Sequence, residues 1–450
     1  MKDKAKEYKL EYLLRKENVL KFFVVSAFVL IYSNFFSIIS WGSDYGGYIN
    51  LAKAINEGNL SSYVDTRSEI NSFSNTTNEP IYTPVGFSLI FIASQFIHNW
   101  NLLIMKLITP LALILIYLLL NKMLNKSYEK IIILLALFNP FIISQFRDLT
   151  TEITSLLFLL LGIYFTRLKS LYFIIAILIR PSYFVFIAIY FLIHYIKQKK
   201  ITGVFSFATL LVITQFISST IYNINFYGLY LLTESRVTNI ELLKENLFSL
   251  QISDIQFIFY EFGRLFTTIS HPLNVFFGLL IFILLLFANN IYAYMSIGFM
   301  LFHLLWVNND YVRFFLPLLV LVTLSFLERI QTFKLSTKKL KIFSSIMLLL
   351  LIPYGYQVKQ IIGSVDNQRG PYQEGSQLMF DYVNENYKEG IFSFHSARVF
   401  TLFTNFKSYK IDKKIIDNTV IICEFNIEDC RVPKNYKIVY ENNLYKIFEP

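Results

Sequence analysis

Long apolar runs separated by short basic segments restrict this chain more than any other feature of its sequence. The runs recur from residue 22 to residue 358, and many are about 18 residues or longer, which is enough for a helix to cross a bilayer. Of the 450 residues, 55% are hydrophobic and 16% are charged, a balance typical of multispan membrane proteins. The net charge of +10 does not indicate nucleic-acid binding, because the basic residues cluster at the ends of the apolar runs.

The pattern predicts an all-α polytopic membrane protein with about 11 transmembrane helices. Lysine and arginine concentrate in the loops on one side, which predicts a multi-pass protein of the cell (inner) membrane with a cytoplasmic N-terminus. Residues 84–98 are apolar but short and begin with proline, so they are predicted to lie along the interface. The predicted spans are 22–40, 101–121, 131–146, 149–166, a broken pair within 171–196, 203–222, 272–288, 291–307, 313–327 and 342–358.

The sequence changes character after the last predicted span. Residues 1–358 are predicted to form the transmembrane domain, and residues 359–450 a small extracytoplasmic α/β domain. In that domain QLMFDYVNENY has a helical pattern, VIICEF and YKIVY have strand patterns, and YENNLYKIF indicates a hairpin with an Asn-Asn turn. Cys423 and Cys430 lie on the side where disulfides persist, and both a bridge and two free thiols stay open.

The first outer loop carries an acidic residue directly after a predicted span. Asp44 precedes a helical pattern of Tyr48, Leu51, Ala52 and Ile55 that ends near Gly58, and 84–98 supplies a second amphipathic segment. The predicted fold therefore places two juxtamembrane helices in this loop. A carboxylate at the mouth of a span, beside two interfacial helices, suggests a reaction site at the membrane boundary.

On this topology several ionisable or polar residues are predicted at the outer face. Ionisable groups at a membrane edge are costly to desolvate, and functional roles are the default hypothesis for them. A carboxylate facing several arginines suits group transfer from a phosphate-linked donor, because the carboxylate can take a proton while the cations hold the departing phosphate. The candidates are Asp44, Glu79, Tyr82, Arg147, Asp148, Glu152, Arg180 and Arg313.

Structural roles compete with these assignments. Asp44 could cap the following helix, and Arg147 with Asp148 could form an ordinary loop ion pair. Arg313 could extend its charged end to the interface, whereas Arg180, next to a proline within an apolar run, is harder to explain by solvation. The five histidines are scattered without metal-ligand spacing, so no metal site is predicted.

Several motifs together resemble those of GT-C-fold glycosyltransferases, which include the protein O-mannosyltransferases and the lipid A aminoarabinose transferases. The spacing of Asp44, Tyr48 and Ala52 is similar to the start of that family's first outer loop, and EPIYTPVGFSLIF resembles its P-x-Y-x-P-x-G-x-x-L pattern. FNPFIISQFRDLTTEITSLLFLLLGIYF resembles the third and fourth spans, LYFIIAILIRPSYFVFIAIY the broken fifth and sixth, and NNDYVRFFLPLL a late R-[YF]-x-x-P stretch. The matches follow the family's order over residues 22–327.

The resemblance implies a polyprenyl-phosphate-linked sugar as donor and an acceptor, whether lipid, glycan or protein, reached from the non-cytoplasmic side. Asp44 would be the catalytic base or the group that orients the acceptor, and Arg180 and Arg313 would contact the donor phosphate. The substrate pocket would be lined by Glu79, Tyr82, Arg147, Asp148 and Glu152, and a second acidic role stays open among Glu79, Asp148 and Glu152. No cofactor is certain; a divalent cation, which some family members use, stays open.

Two other functions remain open from the sequence. A lipid-linked oligosaccharide flippase or other transporter would need charged or broken helices on both sides of the midplane, whereas the unusual groups here fall on one side. A glycan polymerase or ligase would share the many spans but would not require the acidic residue and paired surface helices of the first loop.

Overall fold

A computed structural model defines the architecture of the chain. It describes residues 21–36, 43–60, 84–147, 149–198, 202–222, 251–304, 311–332, 351–365, 370–410, 419–425 and 432–450, with single residues 19, 39, 342 and 430. These residues are mostly helical, and a small sheet lies near the C-terminus. The predicted coarse fold, a helical body followed by an α/β unit, is thereby confirmed.

The described helices are named here in chain order. The first half contains α1 Lys21–Ser33, α2 Ser43–Asn56, α3 Val85–Ala93, α4 Gln95–His98, α5 Leu102–Met105, α6 Ile108–Met123, α7 Ser127–Leu137, α8 Pro140–Ser144, α9 Thr151–Tyr164, α10 Lys169–Ile179, α11 Phe184–Gln198 and α12 Thr202–Tyr222. The second half contains α13 Ile252–Thr267, α14 Asn274–Ala288, α15 Ile291–Leu304, α16 Tyr311–Thr332, α17 Leu351–Val365, α18 Glu374–Asn386 and α19 Ala397–Thr404.

Within the described part, three helical stretches are long and apolar enough to cross a membrane, namely Leu102–Met123, Gly203–Ile221 and Val312–Gln331. A fourth candidate is the pair Tyr128–Leu137 and Pro140–Arg147, bent by 48° at Asn139-Pro140. Other apolar helices are shorter: α1 has 13 residues, about 20 Å at 1.5 Å per residue, against a hydrocarbon core about 30 Å thick. Helix length therefore supports three or four spans, and the count of eleven stays a prediction.

Both helices predicted in the first outer loop are present. In α2 the apolar face (Tyr45, Tyr48, Ile49 and Ala52) is buried, and after the helix Gly58 adopts a left-handed φ of +69°, which glycine tolerates best. Helix α3 begins directly after Pro84 and has nine residues, too few to cross a bilayer. The two helices pack together, and the Ser88 hydroxyl donates a 2.8 Å hydrogen bond to the Tyr48 carbonyl.

The predicted break within 171–196 falls at Arg180. Helix α10 ends at Ile179, Arg180 is extended (φ −143°, ψ 102°), and a short 3-10 turn Pro181–Tyr183 leads into α11. Proline has no N–H to continue the helix and disfavours helical geometry in the residue before it. The sequence Arg-Pro therefore ends one helix and leaves the arginine at the break.

The C-terminal unit contains a sheet of five strands, β1 Ile391–Phe394, β2 Lys407–Lys410, β3 Val420–Glu424, β4 Lys437–Glu441 and β5 Tyr445–Glu449. Their order in the sheet is β2-β1-β3-β5-β4. Strand β1 pairs in parallel with β2 and β3, whereas β5 pairs antiparallel with β3 and β4. The predicted helix, the two predicted strands and the hairpin at Asn442-Asn443 are all confirmed.

Two expectations about this unit receive answers. Cys423 and Cys430 form a disulfide. Of the two states that the sequence left open, a bridge or two free thiols, the structure has the bridge. The predicted boundary after residue 358 falls inside α17, which continues to Val365 before the α/β unit begins. Apolar residues of α17 beyond 358, Ile361 and Ile362, pack on the core of the helical body, which explains why the helix does not end there.

Candidate functional site

Four of the predicted site residues lie together where several elements begin or break. Asp44 and Glu152 lie in the first turns of α2 and α9, and Arg313 lies in the first turn of α16. Arg180 lies at the break after α10. Carboxylates are favoured in a first helical turn, because the unpaired N–H groups there carry partial positive charge. Local helix geometry thus suits the two acids, and the arginines come from other segments.

Arg313 is the centre of the ionic contacts. Its Nη1 lies 2.8 Å from Asp44 Oδ2, and its Nε donates a hydrogen bond to Glu152 Oε1. Arg180 Nη1 lies 3.4 Å from the same Glu152 oxygen. One chain of charges, Asp44–Arg313–Glu152–Arg180, therefore joins residues that are far apart in sequence. We refer to these four residues as the charged cluster.

The charged cluster is open at one end and closed at the other. The side chains of Glu152 and Arg180 are 0% and 5% exposed, whereas those of Arg313 and Asp44 are 30% and 44% exposed. A ligand that enters from outside would therefore meet Asp44 and Arg313 first. The inner pair would support these two groups from behind.

Neutral groups fix the inner end of the cluster. Arg180 donates a 2.9 Å hydrogen bond to the Thr151 hydroxyl, and its guanidinium lies 4.6 Å from the ring centroid of Phe314. The Tyr183 hydroxyl donates to the Glu152 backbone carbonyl at 2.7 Å. The second carboxylate oxygen, Glu152 Oε2, is buried and accepts no hydrogen bond from the part of the chain that the structure describes. A buried oxygen without a donor is costly, so this arrangement is not the best one for stability alone.

The surroundings of Asp44 keep its carboxylate ionised. Desolvation would raise the pKa of Asp44, but the charges of Arg313, Arg398 and Arg180 and the hydrogen bond from Arg313 outweigh it and lower the pKa below its usual value. A carboxylate with a lowered pKa is a weak base that accepts hydrogen bonds well. It suits the orientation of an acceptor hydroxyl, with proton uptake late in a reaction.

The other predicted residues have different outcomes. Arg147 lies half-buried at the end of the 3-10 turn Gln145–Arg147, outside the four-residue cluster. Glu79, Tyr82 and Asp148 lie outside the described residues. The sequence did not single out Thr151, Phe314 or Arg398. Thr151 and Phe314 each adjoin a predicted residue in sequence, whereas Arg398 is in the C-terminal unit and had no local signal.

Among the residues that the structure describes, no group of three or more histidine, cysteine, aspartate or glutamate side chains is placed to hold a metal ion. In the charged cluster each carboxylate already contacts arginine. These acids are therefore arranged as partners of cations in the protein.

No model of a known protein family matches the chain, and no curated protein matches it significantly. The site must therefore be interpreted from its own geometry and charge.

Proposed function

We propose that this protein is an integral-membrane glycosyltransferase of the GT-C type. It moves a sugar from a polyprenyl-phosphate donor to a hydroxyl or amine of an acceptor on the non-cytoplasmic face, within a topology of eleven spans. The observation that carries the proposal is the convergence of Asp44, Glu152, Arg180 and Arg313 in one cluster with a solvent-open end. All four were selected from the sequence for this chemistry.

Asp44 and Arg313, the two residues at the open end of the charged cluster, each have a role in the transfer. The bond between the sugar's anomeric carbon and the phosphate oxygen breaks, and its electron pair leaves with polyprenyl phosphate. A new bond forms between that carbon and the acceptor oxygen or nitrogen, whose proton passes to Asp44. Arg313 faces the growing negative charge of the phosphate, and stabilisation of such charge is among the largest contributions to catalysis.

The inner pair supports this function better than a purely structural one. A buried ion pair is weak evidence for stability, because desolvation of both groups offsets their attraction. Here the buried pair also leaves Glu152 Oε2 without a donor among the described residues. The pair nevertheless holds Arg313 through Glu152 Oε1, so it fixes the orientation of the guanidinium that reaches the open end.

The first test is the chemistry of cells that lack this chain. Mass spectrometry of polyprenyl-linked sugars and envelope glycans should show accumulation of one polyprenyl-phosphate sugar and loss of the same sugar from one acceptor. Unchanged glycans and unchanged lipid-linked sugars would contradict the proposal. Movement of an intact lipid-linked sugar across vesicles, without transfer, would instead support a flippase.

The second test replaces Asp44 by Asn in the full-length chain. Transfer should be lost while membrane insertion stays normal, because the amide cannot take the acceptor proton. Asp254→Asn is the matched control, since Asp254 also lies in a first helical turn, where it accepts a 2.9 Å hydrogen bond from the Gln251 backbone. Equal transfer by the Asp44 variant and wild type would remove Asp44 from the mechanism.

A further inference from the structure

The C-terminal α/β unit packs directly on the first helix of the outer loop. Helix α19 (Ala397–Thr404) lies against α2, and the approach is close enough to require glycine. A Cβ at Gly46 would lie 2.9 Å from the Arg398 carbonyl carbon and 3.1 Å from the Val399 nitrogen, and both are backbone atoms that cannot rotate away. The α/β unit is thus seated two residues from Asp44.

Polar and apolar contacts hold this interface. The Asn50 side chain donates a 3.1 Å hydrogen bond to the Arg398 carbonyl. Val399 is fully buried in one apolar cluster with Tyr45 and Ile49 of α2. The interface therefore has a packed centre beside a hydrogen bond, as stable contacts between domains do. It fixes the backbone of Arg398 next to the open end of the charged cluster.

Arg398 changes the charge balance at that end. In the charged cluster two carboxylates face two guanidinium groups, so their charges cancel. The charge of Arg398 acts on Asp44, as the charges of Arg313 and Arg180 do. Arg398 thus adds a third guanidinium group to those that act on Asp44, and a group of guanidinium groups favours an anionic ligand.

We propose that the C-terminal domain completes the site, and that Arg398 and Arg313 together bind a phosphate group of a lipid substrate. The proposal rests on the glycosyltransferase function and deepens it, because it assigns a phosphate contact to a domain outside the helical body. Guanidinium groups suit this role, since each can donate two parallel hydrogen bonds to phosphate oxygens. The phosphate could belong to the polyprenyl donor or to a phosphorylated acceptor lipid, and both offer the same oxygens.

Binding to the full-length protein in nanodiscs tests this role. Polyprenyl phosphate, the product that leaves the site, should bind wild type and should bind Arg398→Gln at least about tenfold more weakly, because one charged contact is lost. Arg398→Lys should recover part of the affinity. Lys437→Gln removes a positive charge from the exposed strand β4 of the same domain and should bind like wild type.

A second lipid identifies the source of the phosphate. Phosphatidic acid carries a phosphate without a polyprenyl chain, and its binding is measured on the same variants. A loss in Arg398→Gln confined to polyprenyl phosphate assigns the contact to the donor, and a loss confined to phosphatidic acid assigns it to an acceptor lipid. A loss for both supports the shared phosphate chemistry.

A change at the interface tests the domain's part separately. Gly46→Val should push α19 away from α2 and weaken polyprenyl phosphate binding as Arg398→Gln does, although no charge is removed. Gly355→Val is the control, because nothing lies within 4 Å of a Cβ at that position. Protease resistance of the C-terminal domain shows whether its own fold survives, so that weaker binding can be traced to the interface.

The outcomes separate the two proposals. If wild type binds polyprenyl phosphate and Arg398→Gln binds both polyprenyl phosphate and phosphatidic acid as well as wild type does, the role of Arg398 is overturned and the glycosyltransferase function stands. If wild type itself does not bind polyprenyl phosphate, both are overturned. Normal binding by Gly46→Val would show that the seated domain is not part of the site.

Discussion

The two ends of the charged cluster contain similar residues in opposite surroundings. At the inner end Glu152 and Arg180 are almost completely buried, and Thr151 and Phe314 hold Arg180 in place. At the outer end Asp44 is 44% exposed, and the charge of Arg398 from the C-terminal α/β unit acts on it. The inner pair therefore has one fixed geometry, whereas the outer end can exchange water for a ligand.

This difference separates positioning from reaction. A pair of buried charges interacts strongly because little water screens it, but it also becomes costly when one partner is removed. A half-exposed pair contributes little to stability, because water and salt screen it. Variants of the inner end should therefore damage the fold first, and variants of the outer end should damage the reaction first.

The largest effect is expected for Glu152→Gln. The amide has a similar shape but no charge, so Arg180 loses a charged partner in a buried position, and stability should fall by about 3–5 kcal/mol. Thermal unfolding of the purified protein measures the loss. Glu129→Gln is the control: Glu129 is also buried in a first helical turn, but accepts its hydrogen bonds from the Gln331 side chain and the Lys126 backbone. Equal stability of the two variants would contradict the special role of the inner pair.

For Asp44→Asn we expect a small effect on stability and a large effect on transfer, the reverse of Glu152→Gln. Its stability should change by less than about 1 kcal/mol, because Asp44 is half-exposed and its pair with Arg313 is screened. Transfer should fall by about 100-fold or more, the usual contribution of a positioned acid or base. Unfolding and transfer rates are measured on the same preparation. A thermal shift as large as that of Glu152→Gln would show that the two ends do not differ.

The pH dependence of transfer distinguishes the cations at the outer end. Arg313, Arg398 and Arg180 lower the pKa of Asp44, so the active carboxylate persists to lower pH than an ordinary aspartate would. Arg398→Gln removes one of these charges and should raise that pKa, so activity is lost at a higher pH as the solution is acidified. The acidic limb of the rate profile measures this shift. An unchanged limb, equal to that of Lys437→Gln, would place Arg398 too far away to act on Asp44.

The sequence predicted the parts of the fold that local chemistry determines. The apolar period before Gly58 predicted α2, and Arg180-Pro181 predicted the break, because glycine and proline restrict the backbone directly. The lengths of the spans were harder to predict, because an apolar stretch of sequence can continue past the residues at which a helix ends. The run 131–146 is largely apolar, yet it bends by 48° at Asn139-Pro140.

The site was predictable as a set of residues but not as a set of contacts. Charge at a membrane edge selected Asp44, Glu152, Arg180 and Arg313, but their shared centre at Arg313 depends on how α2, α9 and α16 pack. Arg398 was missed because its position depends on an interface between two units. In the sequence, that interface is indicated by a single glycine, Gly46. A glycine within a helix does not by itself identify the segment that packs against it.

The smallest effect is expected at the edge of that interface. Asn50→Ala removes one hydrogen bond to the Arg398 carbonyl, which is worth about 1 kcal/mol, and it leaves Val399 packed on α2. Hydrogen exchange over residues 397–404 should therefore rise slightly, and transfer should fall less than in Arg398→Gln. Asn386→Ala is the control, because Asn386 bonds only the Tyr382 carbonyl of its own helix among the described contacts. If Asn50→Ala abolished transfer, the loss of one half-buried hydrogen bond would be enough to misplace the whole domain. The outer end would then depend on one fixed geometry, as the inner end does, and the difference between the two ends would not hold.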